Sequence, residues 1–202
     1  MFLTLPVALN QVQARSDDHS SVLTVEIISA DDGGLTKYAA GSGNQRARKS
    51  YVIAQNGERY SIHVRNRSNS RIGLVIAVDG RNIISGNKSH LKPSERMYIL
   101  EPYQSGNYAG WRTSRNEVNR FYFTGMSDSY SASWGDYSAM GVIAVAAYKG
   151  RQQYTFGHKG GRDKTRPLDR PRANSRKENP GTGFGESEWS PSHTVYFSPQ
   201  NK

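Results

Sequence analysis

The dominant pattern along the chain is alternation of apolar and polar positions with a period of two, interrupted at short intervals by Gly, Asn-Gly, Asp-Gly and Pro-Ser pairs. That period belongs to strands with one face in a core and one in water, and the interrupters are turn residues. Residues 22–28 (VLTVEII) predict a strand that stops at Asp31-Asp32-Gly33-Gly34. Asn56-Gly57 stands between the runs YVIAQ and ERYSIHV and predicts a tight hairpin, because both central residues of such a turn need positive φ. In its second arm Tyr60, Ile62 and Val64 share one face, and Ser61, His63, Arg65 and Arg67 share the other. Residues 71–78 (RIGLVIAV) are apolar at both parities, which predicts a strand covered on both faces. Asp79-Gly80 then turns the chain into Asn82-Ile83-Ile84, so two successive hairpins would form a meander.

Farther along, short strands are expected at 97–100, 108–112 and 120–124, and another strand covered on both faces at 141–148 (GVIAVAAY). Ser114 and Glu117 have capping-box spacing and predict one helical turn ahead of the strand at 120–124. Residues 195–197 predict a late strand that returns to the sheet. These elements define an all-β fold: an antiparallel β-sandwich, meander or jelly-roll-like, with long irregular basic arms.

The expected organisation is a signal-peptide remnant at 1–14, a strand and flexible link at 15–50, the sandwich core at 51–150, a basic extended arm at 151–183 and a C-terminal segment at 184–202. The opening MFLTLPVALNQVQA is apolar and ends in Val12-Gln13-Ala14, a small-residue cleavage pattern followed at once by polar sequence; an ordinary first strand is the alternative. No stretch approaches the ~20 apolar residues of a membrane-spanning helix. Cysteine is absent, which excludes disulfides and thiolate metal sites and leaves core packing to hold the fold.

The net charge of +10 is concentrated in two segments. Residues 149–177 carry ten Lys or Arg against Asp163 and Asp169, and residues 46–71 carry seven against Glu58, so the remainder of the chain is net acidic. The candidate polyanion-binding residues are therefore Lys159, Arg162, Lys164, Arg166, Arg170, Arg172, Arg176 and Lys177. Clustered cations of this kind bind anionic polymers by releasing counterions and need no rigid pocket.

Little in the chain has catalytic spacing. The five histidines stand singly, there is no HExxH or GxSxG, and Gly181-Thr-Gly183-Phe-Gly185 lacks the strand and helix that a phosphate loop requires. Carboxylates at Asp79, Glu101, Glu117, Asp128 and Asp136 are better explained as turn, cap and loop residues than as a hydrolytic pair. No catalytic residue, metal ligand or cofactor is expected. In GWRTSRNEVNRFYF (110–123) the aromatics have core spacing, and Arg112, Arg115 and Arg120 are the candidate partner-binding residues.

Several of these stretches occur in a recognisable order: Val78-Asp-Gly80 with Ser85-Gly86, Gly110-Trp-Arg112 with Glu117-Val118, Phe121 and Phe123, Gly141-Val-Ile143 with Val145-Ala146, and Gly181-Thr-Gly183 with Gly185. Over residues 51–197 the chain resembles an uncharacterised family of secreted bacterial proteins that share VDG…SG, GWR…EV..F.F, GVI.VA and GTG.G motifs. The resemblance implies a single recurring domain in a secreted, periplasmic or cell-surface setting, and it implies no reaction. The family often carries His where this chain has Phe184, so no catalytic or metal role passes to that position.

The function expected from the sequence is non-enzymatic protein–protein assembly, through self-association or with another envelope protein. Alternatives are binding of polysaccharide, lipopolysaccharide or nucleic acid through the basic arm, and a hydrolase with an unrecognised site.

Overall fold

A computed structural model describes residues 9–15, 22–40, 47–151 and 180–200. Among these residues the strands are β1 (Leu9–Arg15), β2 (Leu23–Ser29), β3 (Gly33–Gly34), β4 (Lys37–Ala39), β5 (Ala47–Ile53), β6 (Arg59–Asn66), β7 (Ile72–Val78), β8 (Arg81–Asn82), β9 (Tyr98–Leu100), β10 (Ser105–Tyr108), β11 (Gly110–Arg112), β12 (Glu117–Gly125), β13 (Val142–Lys149), β14 (Pro180–Thr182) and β15 (Ser187–Trp189). Two single 3-10 turns, Met126–Asp128 and Ala132–Trp134, lie between β12 and β13.

The strands form two sheets, and the expected all-β antiparallel sandwich is the observed fold. The first sheet runs β4-β5-β1-β13-β7-β8, with β9 also on β7; the second runs β11-β12-β6-β2-β3, with β10 on β6 and both β14 and β15 on β12. Pairing is antiparallel except between β1 and β13, which run parallel with Val12 opposite Ile143.

The alternation seen in the sequence becomes burial. In β2, Leu23, Val25 and Ile27 are buried and the residues between them are half-buried. They face a core shared with Tyr60, Ile62 and Val64 of β6, Ile72, Leu74, Ile76 and Val78 of β7, and Ile143 and Val145 of β13. Tyr60 stacks on Phe123 at 4.2 Å between centroids, and Trp111 meets Phe121 edge-on at 5.4 Å. β7 is buried at every position, as its two-sided apolar sequence predicts. One of its faces looks into the shared core, and on the other the Met97 and Phe197 side chains pack over Gly73, where a Cβ would lie 2.5 Å from the Met97 sulfur.

Four local expectations are corrected. Asn56-Gly57 turns the chain, with Gly57 at φ +84°, but β5 and β6 do not pair: they lie in different sheets. The Gly57 amide donates instead to Phe123 O at 2.7 Å. The apolar face of β6 finds its partners in β2, with Val25 opposite Val64 and Ile27 opposite Ile62, so the turn is a corner between layers. The meander is lost with it, because β6 and β7 also lie in different sheets.

Residues 114–117 form no helical turn. The Thr113 and Ser114 amides both donate to Glu117 O, closing a β11–β12 hairpin that sets Trp111 opposite Asn119. Pairing of the two strands puts Trp111 on the face that carries Phe121, which one helical turn would not. The Ser114 hydroxyl and Glu117 carboxylate still meet, at 3.4 Å, but within this turn. Residues 195–197 are not a strand either: Val195 and Tyr196 are exposed, and the return to the sheet is a single bridge between Gly150 and Pro199. By contrast Asp79-Gly80 is the expected two-residue hairpin, with φ of 47° and 77° and Val78 opposite Arg81.

Candidate functional site

A polar arrangement buried throughout is centred on Asp79, with Ser131, Thr182 and Tyr60 around it. The β7–β8 hairpin holds it in the left-handed region, where a short polar side chain is tolerated. Its carboxylate turns inward and is 1% exposed. One oxygen accepts the Gly141 amide at 2.7 Å and the other the Thr182 amide at 2.5 Å. Its backbone oxygen accepts the Ser131 hydroxyl at 2.8 Å, and its amide donates to Val142 O at 2.9 Å. Thr182 in turn meets the fully buried Tyr60 hydroxyl at 2.8 Å, and its carbonyl accepts the Tyr130 amide.

Burial raises the Asp79 pKa from 3.8 to about 7, against the Thr182 and Gly141 amides, which favour the anion. Burial likewise pushes the Tyr60 phenol well above its ordinary value. Every polar atom of Asp79 is spent on the chain itself. It ties a β7 turn to the start of β13 and to β14, and in that state it is a structural node without a free lone pair aimed at solvent.

Beyond this node the 180–192 segment lies along the outer edge of β12. β14 pairs with the end of that strand and β15 with its beginning, Thr182 opposite Phe123 and Glu188 opposite Val118. Between them the Gly183 carbonyl accepts the Trp111 indole N–H at 3.1 Å. A Cβ on Gly183 would fall 2.0 Å from the Tyr122 ring, so the close approach requires glycine. The GTG.G stretch is thus a seam packed against an aromatic, and not a cradle for phosphate.

All three candidate partner-binding arginines meet this same segment, Arg112 and Arg120 through their side chains and Arg115 through its carbonyl. Arg112 Nε donates to Tyr98 Oη at 2.9 Å, and its terminal nitrogens reach Ser190 O at 2.8 Å and Ser190 Oγ at 3.1 Å. Arg120 is ion-paired with Glu188. Arg115 is exposed on the β11–β12 turn, where its carbonyl accepts both the amide and the hydroxyl of Ser192. An open cleft of about 470 Å³ beside this seam is lined by Asp31, Gly57, Arg59, Arg120, Glu186 and Glu188. Apart from Asp31 its charges are paired, Arg59 with Glu186 at 2.8 Å and Arg120 with Glu188.

The remaining sequence candidates are dispersed. His63 on β6 faces Glu26 on β2 at 3.6 Å, Glu117 closes the β11–β12 turn, and Asp136 pairs with Lys88 at 3.0 Å. Hydrogen bonds from Ser138 and Lys88 hold the Asp136 carboxyl well below the usual range. Glu101 pairs with Arg71 at 2.8 Å, and Asp128 is exposed in a 3-10 turn. Among the described residues no group of three or more His, Asp or Glu is placed to hold a metal ion, and no helix is long and apolar enough to cross a membrane. The candidate polyanion-binding residues from Lys159 to Lys177 lie outside the described residues.

The second arrangement of interest is in the first sheet. β1 sits between β5 and β13, with Leu9–Arg15 antiparallel to Ile53–Ala47 along seven residues and Gln11–Arg15 parallel to Val142–Ala146 along five. The opening of the chain therefore supplies a strand over Leu9–Arg15, the alternative that its apolar sequence also allowed. Its position inside the sheet, and not at an edge, had no local signal, because both of its partners are remote in sequence. Comparison of the chain with protein-family models, with curated proteins and with solved structures finds no match in any of the three.

Proposed function

We propose that this chain is a secreted bacterial module without enzymatic activity that works by protein–protein assembly, as a structural or interaction subunit of an envelope or extracellular structure. The observation that carries this reading is the way segments flanking the central strands are incorporated: β1 is laid into the first sheet, and β14 and β15 are added to the edge of the second. Addition of an extended segment to a sheet edge is a general recognition mode, because the backbone supplies the affinity and alternate side chains the specificity. A chain that completes its own sheets in this way has the chemistry to complete those of a neighbour.

The test is the mass of the purified full-length chain by sedimentation, together with electron microscopy, across a wide concentration range. Concentration-dependent oligomers or filaments are expected; a strict monomer at the highest concentration refutes self-assembly.

A second reading is favoured by the net charge of +8 over residues 149–177. On this reading the arm captures an anionic polymer, and binding of heparin, DNA or lipopolysaccharide falls steeply with salt. Charge reversal at Arg162, Arg166, Arg170 and Arg172 should abolish it; salt-insensitive binding removes this reading.

A further inference from the structure

β1 differs from the other long strands in how it is held. Among the described residues it alone joins β4 and β5 to the remainder of the first sheet, so without it the order β4-β5-β1-β13-β7-β8 falls into two pieces. The vacancy would leave the backbone edges of β5 and β13 unpaired on either side of a strand-wide channel. The β13 edge is the costly one, since Ile143, Ala144, Val145 and Ala146 are all buried, and buried amides and carbonyls are almost always paired.

Neither neighbour of β1 is tied to it by a turn. β2, β3 and β4 intervene before β5, and almost the whole central region intervenes before β13. Its parallel ladder to β13 cannot arise from a hairpin at all. β1 therefore enters the sheet as an independent segment.

Its sequence also differs from those of β7 and β13. Four of its seven residues, Asn10, Gln11, Gln13 and Arg15, are polar, whereas β7 and β13 on the same sheet are almost wholly apolar. Such a strand is held by two backbone ladders, which any chain with the same sequence and direction reproduces. When identical elements compete for one slot, exchange between protomers is a low-cost route to association.

Resting on the assembly reading above, we propose that the channel between β5 and β13 is a strand-acceptor site whose partner in assemblies is the Leu9–Arg15 segment of a second copy of this chain. The donated strand takes the same two ladders, Val12 opposite Ser50 on one side and opposite Ile143 on the other. Each copy both donates and accepts. Two copies can then close reciprocally on each other, and a series of copies can extend as an open chain.

The chain contains no cysteine, so introduced pairs are unambiguous. Val12→Cys and Ser50→Cys chains, distinguishable by a size tag, are co-refolded at a concentration at which the native chain sediments as an oligomer, then oxidised. A second pair, Gln13→Cys with Lys49→Cys, covers the adjacent register, because neighbouring antiparallel pairs alternate in Cα separation and a disulfide tolerates only part of that range. The expected result is a covalent heterodimer from one of the two mixtures.

In parallel, chains carrying both cysteines of a pair report where β1 goes within a single molecule. Closure only within single chains, with oligomers still present by sedimentation, overturns strand exchange and leaves assembly intact. A monomer at every concentration overturns both. No disulfide from either doubly substituted chain overturns the placement of β1 itself.

Discussion

Substituting Asp79→Asn isolates the node that joins the β7–β8 turn to β13 and β14. Asn suits the left-handed backbone at φ 47° at least as well as Asp, so the turn survives and only the acceptor chemistry changes. The carboxyl group turns one oxygen to each of two amides, Gly141 and Thr182, and each oxygen keeps a lone pair when the group is protonated; the carboxamide turns its NH2, which cannot accept, to one of them, so one buried N–H loses its acceptor across the pH range. That loss costs about 1–3 kcal/mol.

A second effect opposes it. The Asp79 pKa rises from 3.8 to about 7 on folding, so between these values the folded chain holds a proton that the unfolded chain has released. Stability from this group is complete below about pH 4 and is lost as pH rises towards 7. At ~1.4 kcal/mol per pH unit over that gap, the loss is on the order of 4 kcal/mol. The variant has no such titration. Urea unfolding of both proteins, followed by tryptophan fluorescence at half-unit steps from pH 4 to 8, should therefore show the variant less stable at the acid end and level with wild type or above it by neutral pH. Other groups that titrate in this window are common to both proteins and cancel. Parallel profiles would refute the assignment; a wild type that gains on the variant as pH rises would mean that the two amides outweigh burial.

Gly183→Ala should destabilise the fold by ~1–3 kcal/mol through overpacking against Tyr122, and the double variant with Tyr122→Ala should recover part of that in the same urea assay. Thr182→Val removes the partner of the buried Tyr60 hydroxyl and should cost ~1–3 kcal/mol, while adding Tyr60→Phe should restore most of it. Arg112→Lys keeps the charge but loses the planar fork that reaches Tyr98 and Ser190 together. Amide hydrogen exchange at Ser190 and Ser192 should quicken, with no change at Ile76 in β7.

What could be read from the sequence was whatever is encoded locally. Alternation in 22–28 and at Tyr60, Ile62 and Val64 became β2 and the buried face of β6, and the doubly apolar run 71–78 became the strand buried at every position. Asp79-Gly80 became the expected hairpin. Asn56-Gly57 carries equivalent turn chemistry and became a corner between sheets, because turn residues fix a change of direction and not the identity of the next pairing partner. That choice was made by Phe121 and Phe123 stacking on Tyr60 and by β2 matching β6 residue for residue, contacts that no local window contains. The position of β1 was hidden for the same reason. So was the role of Arg112: its main acceptor, Ser190, lies 78 residues along the chain, and the arginine could be marked as polar and accessible but not as already occupied.

The short motifs that most resemble functional signatures turn out to share one location. Asp79 of the VDG stretch receives amides from Gly141, which opens GVI.VA, and from Thr182 of GTG.G, 103 positions away. Trp111 of the GWR stretch donates to Gly183 of the same GTG.G seam and packs against Tyr130 at 4.6 Å. Glycine and short polar residues are needed there because backbones approach closely and buried amides need acceptors, requirements of folding that leave the same imprint on a sequence as a binding loop. The hydrogen-bonding capacity of Asp79 is consumed in fastening the 180–192 segment and the start of β13 to the core, which places them among the joints of the fold. Backbone ladders that can change partner are a different resource, and in the first sheet they belong to the strand laid between β5 and β13. On the assembly reading, recognition is to be sought along the sheet edges and at that insertion, and not in the motifs that first draw the eye.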